Sequence, residues 1–118
     1  MELSNTRLGE IVLLSFPYSN YKGSKLRPAV IVSHSEYFDD FLVAFITSET
    51  ENYIWSKFAV VFKSIDLQYG QVAQESLIRC DKIITVDKSN FGKENVAKLN
   101  KEKQKELVQK FSQIAGLK

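Results

Sequence analysis

The segment of residues 23–33 constrains the fold most strongly, because a polar, flexible run meets an apolar, strand-like run at Arg27. A residue that precedes a proline is driven from helical into extended geometry, and proline is tolerated at the first residue of a strand. The segment therefore predicts that Arg27 stands at the mouth of a strand. Its five guanidinium donors beside a Gly/Ser/Lys loop suit a phosphate group. The alternative is an ordinary solvated arginine that opens a strand.

The length and composition favour one ordinary globular domain over residues 1–118. An apolar content of 44% and a charged content of 25% are typical of soluble domains. The net charge of +2 is too small to indicate a nucleic-acid partner, so any affinity for RNA must come from local charge placement. Only three of the sixteen basic residues are arginines: Arg7, Arg27 and Arg79.

The cysteine count and the apolar runs bear on location. Cys80 is the only cysteine, which excludes an internal disulfide and fits a reducing cytoplasm. The sequence shows neither a signal-peptide core nor an apolar run of about 18 residues. We therefore expect a cytoplasmic protein without a membrane span.

Short runs of strand-forming residues, separated by turn-forming residues, predict a mainly β domain. The predicted strands cover residues 10–16, 28–33, 41–48, 58–62, 76–80 and 82–86. Residues 1–8 are expected to be loosely attached, residues 66–70 to form a turn, and residues 90–98 to be largely irregular, with a short last strand around residues 96–99. Asn100 can then cap a C-terminal helix, and Gly116 can end it.

Residues 41–48 alternate in a way that indicates two faces of one strand. Phe41, Val43, Phe45 and Thr47 share one face, and the strand ends in the hydroxyls of Thr47 and Ser48. These hydroxyls either cap the strand end or donate hydrogen bonds to a phosphate group.

The loop of residues 17–25 carries aromatic rings and cations among turn-forming residues. Tyr18, Tyr21, Lys22 and Lys25 offer stacking surfaces and positive charge to a single-stranded nucleic acid. The other interpretation is a mere connection between strands. Because loops on a rigid scaffold often carry such contacts, both interpretations stay open.

The triplet Arg79-Cys80-Asp81 combines a cation, a thiol and a carboxylate in a predicted strand. The strand period of two puts Arg79 and Asp81 on one face and turns Cys80 towards the core. The pair is either a solvated ion pair, worth about 0 to 1 kcal/mol, or part of a catalytic site. Metal-ligand spacing is absent, and His34, the only histidine, is expected to be structural or incidental, so we expect no metal and no cofactor.

Three blocks of the sequence together resemble the MazF/PemK (Kid) toxins of type II toxin–antitoxin systems. The blocks are GEIVL, FP and KLRPAVIV within residues 9–32, AFITS at residues 44–48, and IRCDKIITVDK at residues 78–88. The resemblance implies an SH3-like small β-barrel with a C-terminal helix. It also implies a sequence-selective endoribonuclease that cleaves single-stranded RNA without a metal, leaving 2′,3′-cyclic phosphate and 5′-OH ends.

The resemblance also implies residue roles. Kid-like members use the matching Arg79 and Asp81, MazF-like members use Arg27 and Thr47, and this sequence carries both pairs. Asp81 is the only matched residue that can act as a base at neutral pH, although it is a weak base unless desolvation raises its pKa. The arginines are then electrostatic clamps, and Thr47 and Ser48 donate to the phosphate.

The same resemblance also implies protein partners, and one loop of this sequence differs from some members of the family. It implies a homodimer that a cognate antitoxin neutralises. Some Kid-like members carry a histidine in the first loop, whereas this loop holds Asn20 and Tyr21. The rival interpretations are a CcdB-like binding module with the same barrel and no nuclease chemistry, and a generic SH3-like RNA-binding domain.

Overall fold

The computed structural model describes residues 7–15, 26–35, 39–51 and 57–116, which form a curled antiparallel sheet of seven strands and one helix. The strands are β1 (Glu10–Ser15), β2 (Leu26–Ser35), β3 (Asp40–Thr47), β4 (Ala59–Phe62), β5 (Leu67–Tyr69), β6 (Ser76–Asp87) and β7 (Phe91–Leu99), followed by the helix α1 (Lys101–Ile114). Their order in the sheet is β4-β6-β3-β2-β1-β7-β5. The predicted mainly β barrel with a C-terminal helix is confirmed.

The apolar run that opens β2 explains why this strand is central. Ala29 and Ile31 are fully buried in one core cluster, whereas Val30 between them is fully buried in the other. A strand covered on both faces favours an unbroken apolar sequence over an alternating one. The unbroken apolar run of β2 thus matches its cover on both faces.

The two core clusters lie on opposite faces of the sheet. The helix α1 packs on one of them through Leu107, and we call this side the helix face. The opposite side, which we call the far face, is lined by apolar residues from five strands. These are Val12, Leu14, Ala29, Ile31, Phe41, Val43, Val86 and, half-buried, Ile84 and Phe91. The alternation predicted for β3 is confirmed, because Phe41 and Val43 belong to the far face and Ala44 to the helix face.

The helix α1 begins and ends at the residues that its sequence predicts. The side chain of Asn100 accepts a hydrogen bond from the backbone N–H of Lys103 at 2.9 Å, which satisfies one of the free donors of the first turn. Gly116 follows the helix with a φ of +78°, a conformation that glycine adopts without strain. No helix among the described residues is long and apolar enough to cross a membrane.

Two predictions about the second half of the chain are wrong. Residues 67–69 form β5 instead of a turn, and β7 begins at Phe91 although residues 90–95 looked irregular. Both segments are held by pairing that no local pattern contains, because β7 pairs with β1 on one side and with β5 on the other. At the end of β5, Gly70 takes a φ of +86° and lies so close to β7 that a Cβ atom there would be 2.5 Å from the Cβ of Ala97.

Other boundaries differ by smaller amounts. The two segments predicted in residues 76–86 form the single strand β6, and β2 starts at Leu26, before the proline. Arg7 and Leu8 are ordered parts of the fold, although the sequence suggested a loose terminus. Phe16 and the loop of residues 17–25 lie outside the described residues.

The edge strand β4 is tied to the helix by a lysine. The ammonium group of Lys103 donates a hydrogen bond to the carbonyl of Val61 at 2.7 Å and another to the carboxylate of Glu106 at 2.9 Å. The bond to Val61 occupies an acceptor on a strand that is the last in its sheet. Part of the exposed β4 edge is thereby satisfied within the chain.

Candidate active site

Three neighbouring strands, β6, β3 and β2, bring the candidate catalytic residues to one face. Phe45 on β3 lies opposite Ala29 on β2 and opposite Arg79 on β6. Residues directly opposite each other in an antiparallel ladder point to the same side of the sheet. Arg79 therefore shares the far face with Phe45 and Ala29.

Arg27 and Thr47 join this face by the strand period of two. Arg27 precedes Ala29 by two residues, and Thr47 follows Phe45 by two. Arg27 is the second residue of β2, is exposed, and lies opposite Leu14 of β1. This is the strand mouth that the Arg-Pro pair predicts. We call Arg27, Thr47, Arg79 and Asp81 the rim cluster.

Arg79 and Asp81 form a two-pronged ion pair within the rim cluster. The Nε atom of Arg79 donates to one carboxylate oxygen of Asp81 at 3.1 Å, and an Nη atom donates to the other at 2.6 Å. The side chains of Arg79 and Asp81 are 20% and 35% exposed, so both are partly accessible to solvent. Cys80 between them is fully buried on the helix face, as the period of two predicts.

The ion pair sets the charge state of Asp81. The hydrogen bonds from Arg79 lower the pKa of the Asp81 carboxyl below its usual value, and they outweigh the opposing effect of partial burial. The sequence left open that desolvation raises this pKa, and the structure shows the opposite direction. Asp81 is therefore a carboxylate at neutral pH, and it is a weak base while Arg79 holds it.

An irregularity in β6 accompanies the site. Ala44 of β3 pairs with Ile83 of β6, but the next residue, Phe45, pairs with Arg79, so residues 80–82 have no partners on β3. On the opposite edge of β6, the backbone N–H of Cys80 donates to the carbonyl of Phe58 at 2.8 Å. Extra residues of this kind bend a strand and re-aim its side chains. The bend thus lies at the position of Asp81.

Thr47 is arranged so that its hydroxyl can donate. Its Oγ1 atom accepts a hydrogen bond from the backbone N–H of Glu49 at 3.1 Å. Because this bond uses a lone pair of the oxygen, the O–H proton remains available to a ligand on the far face. Ser48, the other candidate hydroxyl, is exposed beside it.

The remaining candidate residues lie outside the part of the chain that the structure describes. They are the loop residues Tyr18, Tyr21, Lys22 and Lys25. Within residues 7–15, 26–35, 39–51 and 57–116, no group of three or more His, Cys, Asp or Glu side chains is placed to hold a metal ion.

The structure also reveals a second arginine site that the sequence did not predict. An Nη atom of Arg7 lies 2.7 Å from a carboxylate oxygen of Glu94 and 3.2 Å from one of Glu10. The guanidinium carbon is 5.0 Å from the ring centroid of Phe41 and 5.8 Å from that of Phe91. We call these five residues the Arg7 cluster.

The charge of Arg7 is secured by its surroundings. Burial alone would lower the pKa of Arg7, but the hydrogen bonds and charges of Glu10 and Glu94 outweigh it and raise this pKa. No local pattern could indicate the cluster, because Arg7 and Glu94 are 87 residues apart.

Comparison with known proteins places this arrangement in context. A family model described as PemK-like, MazF-like toxin of type II toxin–antitoxin system matches residues 7–115. No curated protein sequence matches the chain significantly. The relationship is therefore seen in the family model and in the fold.

Solved structures with the same fold cover nearly the whole chain. An endoribonuclease in complex with its cognate antitoxin, from Mycobacterial species, superimposes with a TM-score of 0.72 at 15% identity, over 94% of this chain and 95% of that one. The MazE–MazF complex of Deinococcus radiodurans gives a TM-score of 0.71 at 20% identity, over 94% and 96%. The toxin MazF-mt6 of Mycobacterium tuberculosis gives 0.69 at 18% identity, over 92% and 98%. At these identities the likeness establishes the fold.

Proposed function

The chain belongs to the family of PemK-like, MazF-like toxins of type II toxin–antitoxin systems, and we propose that it is a sequence-selective, metal-independent endoribonuclease acting on single-stranded RNA in the cytoplasm. One observation carries the proposal. Three adjacent strands bring two arginines, a hydroxyl and a carboxylate to one face, in the rim cluster. They can supply the base and the phosphate donors that RNA cleavage through the 2′-OH requires.

The proposed reaction begins at the 2′-OH of the ribose. Asp81 accepts the 2′-OH proton, and the 2′ oxygen forms a bond to the adjacent phosphorus. The bond from phosphorus to the 5′ oxygen breaks, and that oxygen leaves with a proton supplied by water. The hydroxide so formed takes the proton from Asp81, which restores the carboxylate. The products are a 2′,3′-cyclic phosphate and a 5′-OH end.

The arginines stabilise the charge that develops on the phosphorane. Arg27 is exposed at the strand mouth, so its fork can grip non-bridging oxygens of the phosphate. Arg79 starts in the ion pair with Asp81. A phosphate that takes hydrogen bonds from Arg79 weakens this pair and raises the pKa of Asp81, which makes Asp81 a better base when the substrate is bound. The hydroxyl group of Thr47 donates a hydrogen bond to the same phosphate.

The first experiment is incubation of the pure protein with RNA in EDTA, followed by mapping of the ends. We expect cuts in single-stranded RNA, resistance of duplex RNA, and 2′,3′-cyclic phosphate with 5′-OH ends. Cleavage that requires a divalent metal and leaves 5′-phosphate ends contradicts the mechanism. RNA binding without any cleavage favours the non-catalytic binding module instead.

Inhibition by a cognate antitoxin is the second part of the proposal. Two of the similar structures are toxin–antitoxin complexes by their descriptions. We propose that an acidic antitoxin segment, disordered when free, lies in the RNA site against Arg27, Lys22 and Lys25 and blocks it. The test is competition, since an RNA analogue and the antitoxin peptide should exclude each other. Simultaneous binding with unchanged affinities refutes the overlap.

A homodimer is the third part of the proposal, and it follows from the family. Light scattering after size-exclusion chromatography should give twice the 13.5 kDa mass of the chain. A monomer at micromolar concentration contradicts this part alone.

A further inference from the structure

We propose that Gly92 is a positioning residue for RNA cleavage, because it leaves the space in which the side chain of Leu26 is seated. This contact fixes the end of β2 that carries Arg27. The inference deepens the proposed endoribonuclease function and rests on the role of Arg27 in it. It gives a reason for a glycine inside β7, where glycine ordinarily weakens a strand.

Leu26 occupies the place that a side chain on Gly92 would take. A Cβ atom added to Gly92 would overlap Cδ2 of Leu26 and lie 3.2 Å from its Cδ1 and 3.3 Å from its Cγ. Ordinary contact between carbon atoms is about 3.5–4.0 Å. β2 and β7 lie on either side of β1, so Leu26 reaches past β1 to make this contact. Even alanine at position 92 would therefore displace Leu26 or the strand end behind it.

Gly92 lies at an irregularity in the pairing of β7. Leu13 of β1 pairs with Lys93, but the next residue, Leu14, pairs with Phe91, so Gly92 is the extra residue between two pairs. Bulges of this kind are features at which a strand bends, and a glycine there often marks a close approach by another part of the chain. The bulge thus supplies the seat for Leu26.

The start of β2 has an incomplete hydrogen-bond ladder. In the part of the chain that the structure describes, its pairing with β3 begins at Ala29, whereas Leu26, Arg27 and Pro28 pair with β1. Pro28 has no backbone N–H and cannot donate to a neighbouring strand. The seat at Gly92 therefore adds a side-chain anchor at the point where the ladder holds the strand least.

Leu26 acts on Arg27 through the backbone. Adjacent side chains of a strand point to opposite sides of the sheet, so Leu26 lies away from a phosphate that Arg27 holds. The two residues share one peptide bond, and the proline that follows Arg27 restricts its backbone further. A displaced Leu26 therefore shifts Arg27. A misplacement of about 1 Å at a reacting centre can cost about 10²-fold in rate.

The experiment measures kcat/KM for cleavage of single-stranded RNA by the full chain. Gly92→Ala should lower it by about 10- to 10²-fold, because Arg27 leaves its position. Leu26→Ala, added to Gly92→Ala, should recover part of this loss, because the shorter side chain leaves room for the new methyl group. Leu26→Met, with Gly92 in place, keeps an apolar chain in the seat and should stay close to the parent.

The matched control is Gly70→Ala, which places the same new methyl group against another part of β7. Its Cβ atom would lie 2.5 Å from the Cβ of Ala97, and the φ of +86° at Gly70 adds strain. This variant should lower the thermal stability and leave kcat/KM of the folded protein at the parent value. If Gly92→Ala does not fold, Leu26→Ala alone empties the seat at an exposed residue and should also lower kcat/KM.

A double-mutant cycle with Arg27→Ala separates positioning from general packing. Gly92→Ala should have little further effect on kcat/KM once Arg27 is replaced, because both changes remove one interaction with the phosphate. Losses that multiply independently overturn the proposal. A parent-like kcat/KM in Gly92→Ala does so as well.

An NMR measurement distinguishes this inference from the proposed function. The backbone amide resonance of Arg27 should shift or broaden in Gly92→Ala and stay in place in Gly70→Ala, whether or not the protein cleaves RNA. A parent that never cleaves RNA contradicts the endoribonuclease, and the Arg27 resonance then still decides whether Gly92 fixes the strand end. An unchanged Arg27 resonance in Gly92→Ala, with a parent that cleaves normally, contradicts only the positioning role.

Discussion

Two groups of charged residues line the far face of the sheet, and the exposed Arg27 of the rim cluster contrasts with Arg7. In the Arg7 cluster, one guanidinium meets the carboxylates of Glu10 and Glu94 and lies over the rings of Phe41 and Phe91. Its charge is compensated twice, and its donors face groups from the same chain. Such an arginine holds strands together and has little left to offer a ligand.

The rim cluster is built from similar groups but includes an exposed arginine, Arg27, at a strand mouth. Arg79 pairs with the carboxylate of Asp81 and is 20% exposed, about as much as Arg7 at 23%. A phosphate can reach the guanidinium group of Arg27 without breaking the core. The difference teaches that an arginine's role on this face follows from its surroundings and not from its residue type.

The largest expected effect is the loss of cleavage rate when Arg27 is replaced. Arg27→Ala should lower the cleavage rate by about 10²- to 10³-fold, because one donor to the transition state is lost. Arg27→Lys keeps the charge without the two-pronged geometry and should be intermediate or worse. The free energy of unfolding of both variants should lie within about 0.5 kcal/mol of the parent's value, since the side chain is exposed.

Single-turnover cleavage and chemical denaturation measure the two quantities for Arg27. A parent-like rate for Arg27→Ala shows that Arg27 is not a phosphate clamp. An unfolded variant shows instead that Arg27 is structural and that the two clusters do not differ in kind.

The next largest effect is on stability at the Arg7 cluster. Arg7→Met should lower the free energy of unfolding by about 1–3 kcal/mol, because the carboxylate of Glu10, which is 9% exposed as a residue, loses its counter-charge. The matched control is Arg27→Met, which should cost at most about 0.5 kcal/mol. Urea denaturation measures the free energy of unfolding of both variants. Equal losses would contradict the proposed difference between the clusters.

A smaller effect is expected in the pH dependence of the rim cluster. Because Arg79 lowers the pKa of Asp81, the carboxylate stays charged as the pH falls to about 4, the usual value for aspartate. Its contribution to stability is complete above the unfolded pKa and is lost as the pH falls through the lower folded pKa. The profile of kcat/KM, which reports the free enzyme, should therefore stay level on its acid side until below about pH 4.

The matched comparison for this pH profile is Asp81→Asn, which should remove any acid limb that belongs to Asp81. An acid limb centred near pH 6 in the parent, absent in Asp81→Asn, would mean that burial dominates over the ion pair in solution.

The smallest effect is expected at Cys80, which separates the two members of the ion pair along β6. Burial raises the pKa of its thiol to about 12, so the nucleophilic thiolate is scarce at pH 8. Ellman's reagent should label Cys80 only as the protein unfolds, and Cys80→Ala should cleave RNA at the parent rate. The exposed control is Thr85→Cys in the Cys80→Ala background, on the same strand. Rapid labelling of the native parent would contradict the burial.

The sequence predicted features that depend on local rules and missed those that depend on distant pairing. The pre-proline effect located Arg27, and the period of two joined Arg79 to Asp81 and buried Cys80. The polar first half of β7 looked irregular because its pairing partner is β1, which is distant in the sequence.

The direction of a pKa shift could not be predicted from the sequence either. The sequence could name Asp81 as the candidate base, but the direction of its pKa depends on the competition between burial and the ion pair with Arg79. That competition requires the geometry of the side chains. Prediction of the Arg7 cluster requires this geometry even more, since the members of the cluster come from β1, β3, β7 and the residues before β1.

The pairing of β1 with β7 has a consequence for the synthesis of this protein. β1 is made before the other described strands, yet one of its two neighbours, β7, is made after them. Until β7 emerges, the carboxylate of Glu94 is missing beside Arg7, and one edge of β1 has no partner. Long-range pairing of this kind is slow to form because a large loop must close first. The sheet of the nascent chain therefore stays incomplete until β7 has left the ribosome.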